Sequence, residues 1–141
     1  MPAFSKILVA YDSSPHSRRA LAKAVDVAQC SQAQVGLIYA YDPVPAYLGE
    51  PYYEDAVSRA VLNGREMLKE VVAGLAEQGL TVSVNVIQGP PAEAILKVAE
   101  TEGYDLIVMG SRGLSAWQGL LLGSTSQRVL QHGQIPVLIV R

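Results

Sequence analysis

The sequence predicts an α/β fold: a single-domain, open, five-stranded parallel sheet in the order 3-2-1-4-5 with helices on both faces. Three observations carry that reading. Short apolar runs alternate along the chain with stretches of helical periodicity, as parallel sheets with crossover helices require. Two of the runs, Ile7-Leu8-Val9-Ala10 and Leu106-Ile107-Val108-Met109, are apolar at every position and suit strands covered on both faces. A third, Thr81-Val82-Ser83-Val84-Asn85-Val86, alternates polar and apolar and reads as an edge. Right-handed crossovers then leave 3-2-1-4-5 as the order that fits.

Size and composition agree. The chain has 141 residues, half of them apolar, which suits one globular domain with its own core. A net charge of −2 gives no footprint for nucleic acid. No apolar run approaches a membrane span and the start lacks a signal peptide, so a soluble cytoplasmic protein is expected. The single cysteine, Cys30, cannot form an internal disulfide. It is expected to be a core or half-buried residue beside Ala28.

After the first strand, Ser14 reads as the N-cap and Pro15 as the first residue of a helix. Leu21, Ala24, Val25 and Ala28 give that helix one apolar face, and it ends near Ser31. Val35 to Tyr39 forms the second strand. The stretch from Tyr41 to Pro51 holds three prolines and a glycine and is a long loop, of the kind that often serves as a lid. Its tyrosines, with Tyr52 and Tyr53 beyond it, are expected to pack on the loop's underside rather than to shield a base or partner. A long helix comes next, from about Tyr53 to Gln78, with Val57, Val61, Leu68, Val71 and Leu75 along one stripe. Gly64 falls on that stripe as a close-packing position, and Gly79 sits at the C-cap.

The third strand, Thr81 to Val86, turns through Gln88-Gly89-Pro90-Pro91 into a helix from about Ala92 to Glu102. Asp105 opens the fourth strand, which ends at Gly110. A helix from Ser124 to about Gln131 and a fifth strand, Ile135 to Val140, complete the chain. Ser124 and Gln127 have the spacing of a capping box, Ser124 as the cap. The glycines at 110, 113 and 123 allow close backbone approach or positive φ. A helix start offers unpaired N–H groups and partial positive charge to a phosphate. Glycines at such places also serve backbone geometry alone, and spacing by itself leaves both readings open. The pattern is neither a P-loop nor a dinucleotide fingerprint. The strand order reverses between strands 1 and 4, where ligands of such sheets bind, and this brings Asp12 beside the glycine stretch.

Gly110-x-x-Gly113, nine further residues and Gly123-Ser124 resemble the G-2x-G-9x-G-S/T signature of the ATP-binding branch of the universal stress protein family. The opening Ile7 to Asp12, the run Asp105 to Gly113 and the ending Ile135 to Val140 are similar to that family as well, so the likeness spans residues 1–141. The resemblance implies a Rossmann-like sheet of the adenine nucleotide alpha hydrolase kind and ATP, with Mg2+ recruited by its phosphates, as cofactor. It implies that Asp12 contacts the ribose, with Ala10 and Tyr11 contributing backbone, and that Ala40, just past strand 2, flanks the adenine. Met109 and Gly110 would lie along the nucleoside, and Arg112, Gly113, Gly123, Ser124, Thr125 and Ser126 would approach the phosphates. It also implies a homodimer through the last strand, Val137 to Val140, an apolar edge that invites pairing. The position after Asp12, often Gly or aromatic in that family, is Ser13 here, a departure expected to matter little.

The expected role is a nucleotide-dependent stress-response module with protein partners unspecified. A slow ATPase and a nucleotide-independent dimeric scaffold are the alternatives. No catalytic residue or metal cluster stands out, and His16 and His132 read as surface residues rather than bases. Receiver-domain and flavodoxin readings fit the fold class by analogy, but Gln88-Gly89 stands where a receiver needs its Asp.

Overall fold

The computed structural model describes residues 3–112 and 122–141. Five parallel strands form one sheet in the order β3-β2-β1-β4-β5: β1 Lys6–Ala10, β2 Gln34–Tyr41, β3 Val82–Gln88, β4 Leu106–Gly110 and β5 Val137–Val140. Among the described residues four α-helices lie between them: α1 Pro15–Ser31, α2 Tyr52–Glu77, α3 Pro91–Thr101 and α4 Ser124–His132. A short 3-10 turn, Ala46–Leu48, precedes α2.

Alternation along the central strands divides the core into two layers. Ile7, Val9 and Tyr11, on and just past β1, face α1 and α2 together with Val35, Leu37 and Val108. Leu8, Ile38, Ile107 and Met109 face α3 and α4, which supply Ala92, Ile95, Val98, Ala99 and Val129. All five β4 residues are buried, as a strand covered on both faces must be. β3 is an edge, as its alternation predicts. Its polar side is not wholly wet, because Ser83 Oγ lies 3.0 Å from Tyr104 Oη.

Helix α1 is started by the predicted cap: Ser14 Oγ accepts from the Ser17 N–H at 3.2 Å, with Pro15 in the first turn. Its buried stripe is Ser17, Ala20, Ala24, Val25 and Ala28, with Leu21 at the margin. Cys30 falls off that stripe and is exposed, not the core or half-buried residue expected. On α2, a Cβ at Gly64 would stand 2.8 Å from Val86 Cγ1 and 2.9 Å from Tyr39 Cδ2, so the helix can lie this close to the sheet only with glycine there. Gly79 comes just after α2 with φ +80°, the expected terminator.

The loop between β2 and α2 departs from expectation. Tyr41 is buried as the last residue of β2, and Tyr53 is half-buried with its hydroxyl accepting from Gln88 Nε2 at 3.4 Å. Tyr47 and Tyr52 project outward instead, 88% and 68% exposed. Among the described residues no helix is long and apolar enough to cross a membrane.

Candidate nucleotide site at the carboxyl ends of β1 and β4

β1 pairs with β2 on one side and β4 on the other: Val9 is in register with both Leu37 and Val108. The chain leaves β1 and β4 next to one another, at the place where the strand order reverses. Beyond β1 the chain forms a knot of short polar groups. Asp12 Oδ1 accepts from the Ser14 N–H at 3.0 Å, and Ser17 Oγ accepts from the Asp12 N–H at 3.4 Å while donating to Ser14 O at 2.9 Å. Asp12 is half-buried and held at the start of α1, so it does assist that cap.

Ser13, between Asp12 and Ser14, has φ +66°. That is the left-handed region, costly for any residue with a Cβ. Glycine would take this conformation without that cost, so the backbone at Ser13 carries some strain.

The end of β4 is gripped from three sides. The Ser111 N–H donates to Val140 O at 2.8 Å, and Ser111 O accepts from the Gly123 N–H at 2.6 Å. Ser126 Oγ donates to Gly110 O at 2.9 Å. From α1, His16 lies directly against Gly110: a Cβ at 110 would stand 2.7 Å from His16 Cβ and 2.8 Å from its carbonyl carbon. Neither Gly110 nor Gly123 has positive φ. The need for glycine at 110 is close approach, and the element that approaches is α1.

The start of α4 differs from the predicted capping box. Gly123 is the N-cap, with extended backbone (φ −72°, ψ 163°), and its carbonyl accepts from the Gln127 N–H at 3.1 Å. Ser124 is already inside the helix and makes no cap bond, and Gln127 Nε2 donates to Leu122 O at 3.3 Å. Glycine tolerates the N-cap position without a side-chain bond, so the cap lies one residue earlier than expected while the helix begins at Ser124.

The structure brings most of the residues assigned from the sequence to one end of the sheet. Ala10 and Ala40 are half-buried and both face the α3/α4 layer. Ala40 is within β2, paired with Ile87, rather than past its end. Met109 is buried and its side chain belongs to that same layer. The Tyr11 N–H donates to Ile38 O at 3.0 Å and its ring is buried on the opposite layer. Arg112 is half-buried at the end of β4, Gly123 and Thr125 are half-buried, Ser124 is exposed and Ser126 is buried. Gly113 lies outside the described residues.

Two members of this cluster are absent from the sequence assignment. Ser111, 4% exposed, joins α4 to β5 through its own peptide groups. His16, read as a surface residue, is half-buried with Nδ1 3.3 Å from Ser111 Oγ. Its position one and two turns before the buried Ala20 and Ala24 is the signal that could have found it.

The universal stress protein family model matches residues 3–141. This chain belongs to the universal stress protein family. It is 45% identical over 140 residues to the universal stress protein in the QAH/OAS sulfhydrylase 3' region of Thermus aquaticus, covering 98% of this chain and 99% of that relative. Its fold superposes on protein MJ0577 of Methanocaldococcus jannaschii with a TM-score of 0.89 at 28% identity, covering 96% and 94% of the two chains. A universal stress protein solved in complex with cAMP superposes with a TM-score of 0.70 at 29% identity over 99% of this chain and 98% of that one.

Proposed function

We propose that residues 1–141 act as one universal stress protein domain that binds ATP and serves as a nucleotide-dependent regulatory module of the stress response. The observation that carries the reading is the convergence of three chain ends: the Asp12 turn, the Gly110–Arg112 end of β4 and the Gly123–Thr125 start of α4. A carboxylate with acceptor oxygens suits ribose hydroxyls, and a helix start with serine and threonine hydroxyls and a nearby guanidinium suits phosphates. Small residues, Ala10 and Ala40, on neighbouring strands suit the flat face of a base. The 29%-identical neighbour solved with cAMP supports an adenine nucleotide as the ligand class.

Among the described residues no group of three or more His, Cys, Asp or Glu side chains gathers to hold a metal. In this reading Mg2+ arrives on the phosphates. β5, an edge strand with Leu138 37% exposed, supports a homodimer through Val137 to Val140. The proposed location is the cytoplasm.

Equilibrium titration with Mg-ATP tests the assignment. Asp12→Ala and Gly113→Ala are each expected to weaken binding by roughly tenfold or more, the scale of losing a charge-assisted bond or blocking close backbone approach. Unaltered affinity in both variants would reject the pocket. Sedimentation equilibrium at micromolar concentration tests the dimer, and a monomer there would reject it.

A further inference from the structure

We propose that His16 is a positioning residue of the nucleotide site, and that through Ser111 it fixes the distance between the ribose end and the phosphate end of the bound ligand. The inference rests on the nucleotide-binding reading above and adds a part that none of the residues assigned from the sequence supplies.

Pro15 at the first helical position sets His16 and Ser17 in the first turn of α1. These two neighbours reach opposite halves of the site. Ser17 Oγ accepts from the Asp12 N–H, and Ser14, whose N–H holds Asp12 Oδ1, caps the same turn. His16 Nδ1 meets Ser111 Oγ at 3.3 Å, and the His16 backbone lies against Gly110. One rigid helical turn therefore holds the carboxylate proposed for the ribose and the strand end that leads to the phosphates.

The grip on Ser111 passes onward. Ser111 O accepts from the N–H of Gly123, the α4 cap, and Ser126 Oγ in the same helix donates to Gly110 O. The ties from Ser111 to Val140 and Gly123 are made by its backbone. The tie to α1 is a bond between two side chains, so it can be removed without touching the peptide. Either atom can donate, since the imidazole tautomer selects the direction and the hydroxyl rotates to suit. Without the bond, the link from α1 to this strand end is reduced to the packing of the His16 backbone on Gly110, and Ser111 with the α4 cap tied to it is held less firmly against the Asp12 turn. A ligand spanning both halves must then order them as it binds, whereas a ligand seated on one half need not.

The test compares two probes, Mg-ATP and adenosine, by calorimetric titration on the full chain. The proteins are the wild type, His16→Ala, Ser111→Ala, the double variant and His16→Asn, whose amide stands where Nδ1 stood. His16→Ala and Ser111→Ala are each expected to weaken Mg-ATP roughly three- to tenfold, the range of one net hydrogen bond. The double variant should be no weaker than either single one, because both remove the same bond. His16→Asn should recover to within about twofold of wild type if an amide replaces the lost bond. Adenosine, which lacks the phosphate end, should bind all five proteins alike. Mg-ATP binding unchanged in His16→Ala, additive losses in the double variant, or equal weakening of adenosine overturns the positioning role alone. A wild-type chain that binds neither probe overturns the nucleotide reading, and this inference with it.

Discussion

The two rims of the sheet are built from different materials. At the amino ends of the strands, long side chains close the rim. Asp105 Oδ2 and Oδ1 accept from the Ser5 and Lys6 N–H groups at 2.8 and 3.1 Å. The Tyr104 ring lies under Gly36 of β2 and bonds Ser83 of β3, while Lys6 Nζ sits 4.5 Å from the ring centroid and donates to Glu102 O. At the carboxyl ends of β1 and β4 most contacts run between peptide groups and short hydroxyls, Ser14, Ser17, Ser111, Gly123 and Ser126, with Asp12 and His16 as the larger side chains that join them. The first rim uses its side chains to join strands. The second relies mainly on backbone and short hydroxyls where the proposed ligand would meet backbone. Substitutions at the first should therefore change stability without affinity, and substitutions at the second that displace its backbone should change affinity as well.

The largest effect is expected at Gly36. A Cβ there would stand 2.6 Å from Tyr104 Cζ and closer still to Oη, so the buried ring must move and give up its bond to Ser83. Gly36→Ala should cost about 3 kcal/mol by urea melts, the upper range for overpacking a core. Its folded form should bind Mg-ATP as the wild type does. An altered affinity there would break the contrast between the rims.

Gly110→Ala comes next, at about 2 kcal/mol, because the clash is with the His16 backbone and Cβ and the helix must move. Moving α1 displaces the Asp12 turn with it, so Mg-ATP affinity should fall at least roughly tenfold, well beyond the share that a global loss of stability explains. Unchanged affinity would show the carboxyl rim to be as purely structural as the other.

Tyr104→Phe sharpens the comparison through pH. Burial is the main cause that pushes the Tyr104 hydroxyl above its ordinary pKa of 10.0; the Ser83 bond opposes it and Glu102 adds to it. Below the ordinary value both folded and unfolded chains keep the proton, and the contribution of Tyr104 to stability is whole. Above it the unfolded chain ionises first, so stability falls as pH rises toward the folded-state pKa. Tyr104→Phe should be about 1 kcal/mol less stable near neutral pH, from the lost Ser83 bond, and should lack this part of the alkaline decline. Denaturant melts of both proteins from about pH 8 to pH 11 measure the difference in slope. Parallel curves would mean the phenol is not held neutral by the fold.

Legibility in the sequence tracks the range of the forces involved. The β1 and β4 runs announce burial on both faces because every position is apolar. Ser14-Pro15 announces a helix start because cap chemistry is settled within four residues. Sequence spacing finds the α4 start at Ser124 but assigns the cap one residue late, because the hydroxyls near it are not all used locally: Ser126 Oγ goes to Gly110 O, sixteen positions back. His16 escapes for the same reason at longer range, since Ser111 lies 95 positions away. Residue type misleads at Cys30, where its phase on α1 against Ala24 and Ala28 puts it outside. Tyr47 and Tyr52 carry no periodicity, so nothing local says which way their rings turn. Asp12, Ala40 and Arg112 are reached only by way of the family pattern and the strand order, because no short-range rule brings them to one rim.

Ser13 offers the smallest effect and the finest test of that rim. Its left-handed backbone lets the Ser14 N–H reach Asp12 Oδ1 at 3.0 Å, so the turn that holds the proposed ribose ligand is slightly strained. The left-handed conformation costs a residue with a Cβ roughly 1 kcal/mol or more. Glycine removes that cost but adds freedom to the unfolded chain, which takes back a good part of it. Ser13→Gly should therefore gain about 0.5 kcal/mol, with Mg-ATP affinity unchanged, because the turn keeps its shape. Ser13→Val, branched at Cβ and poorly suited to positive φ, should lose more than about 1 kcal/mol and weaken binding together with it. If glycine destabilises instead, the strain at Ser13 is not what the turn stores, and its serine side chain is holding Asp12 in place.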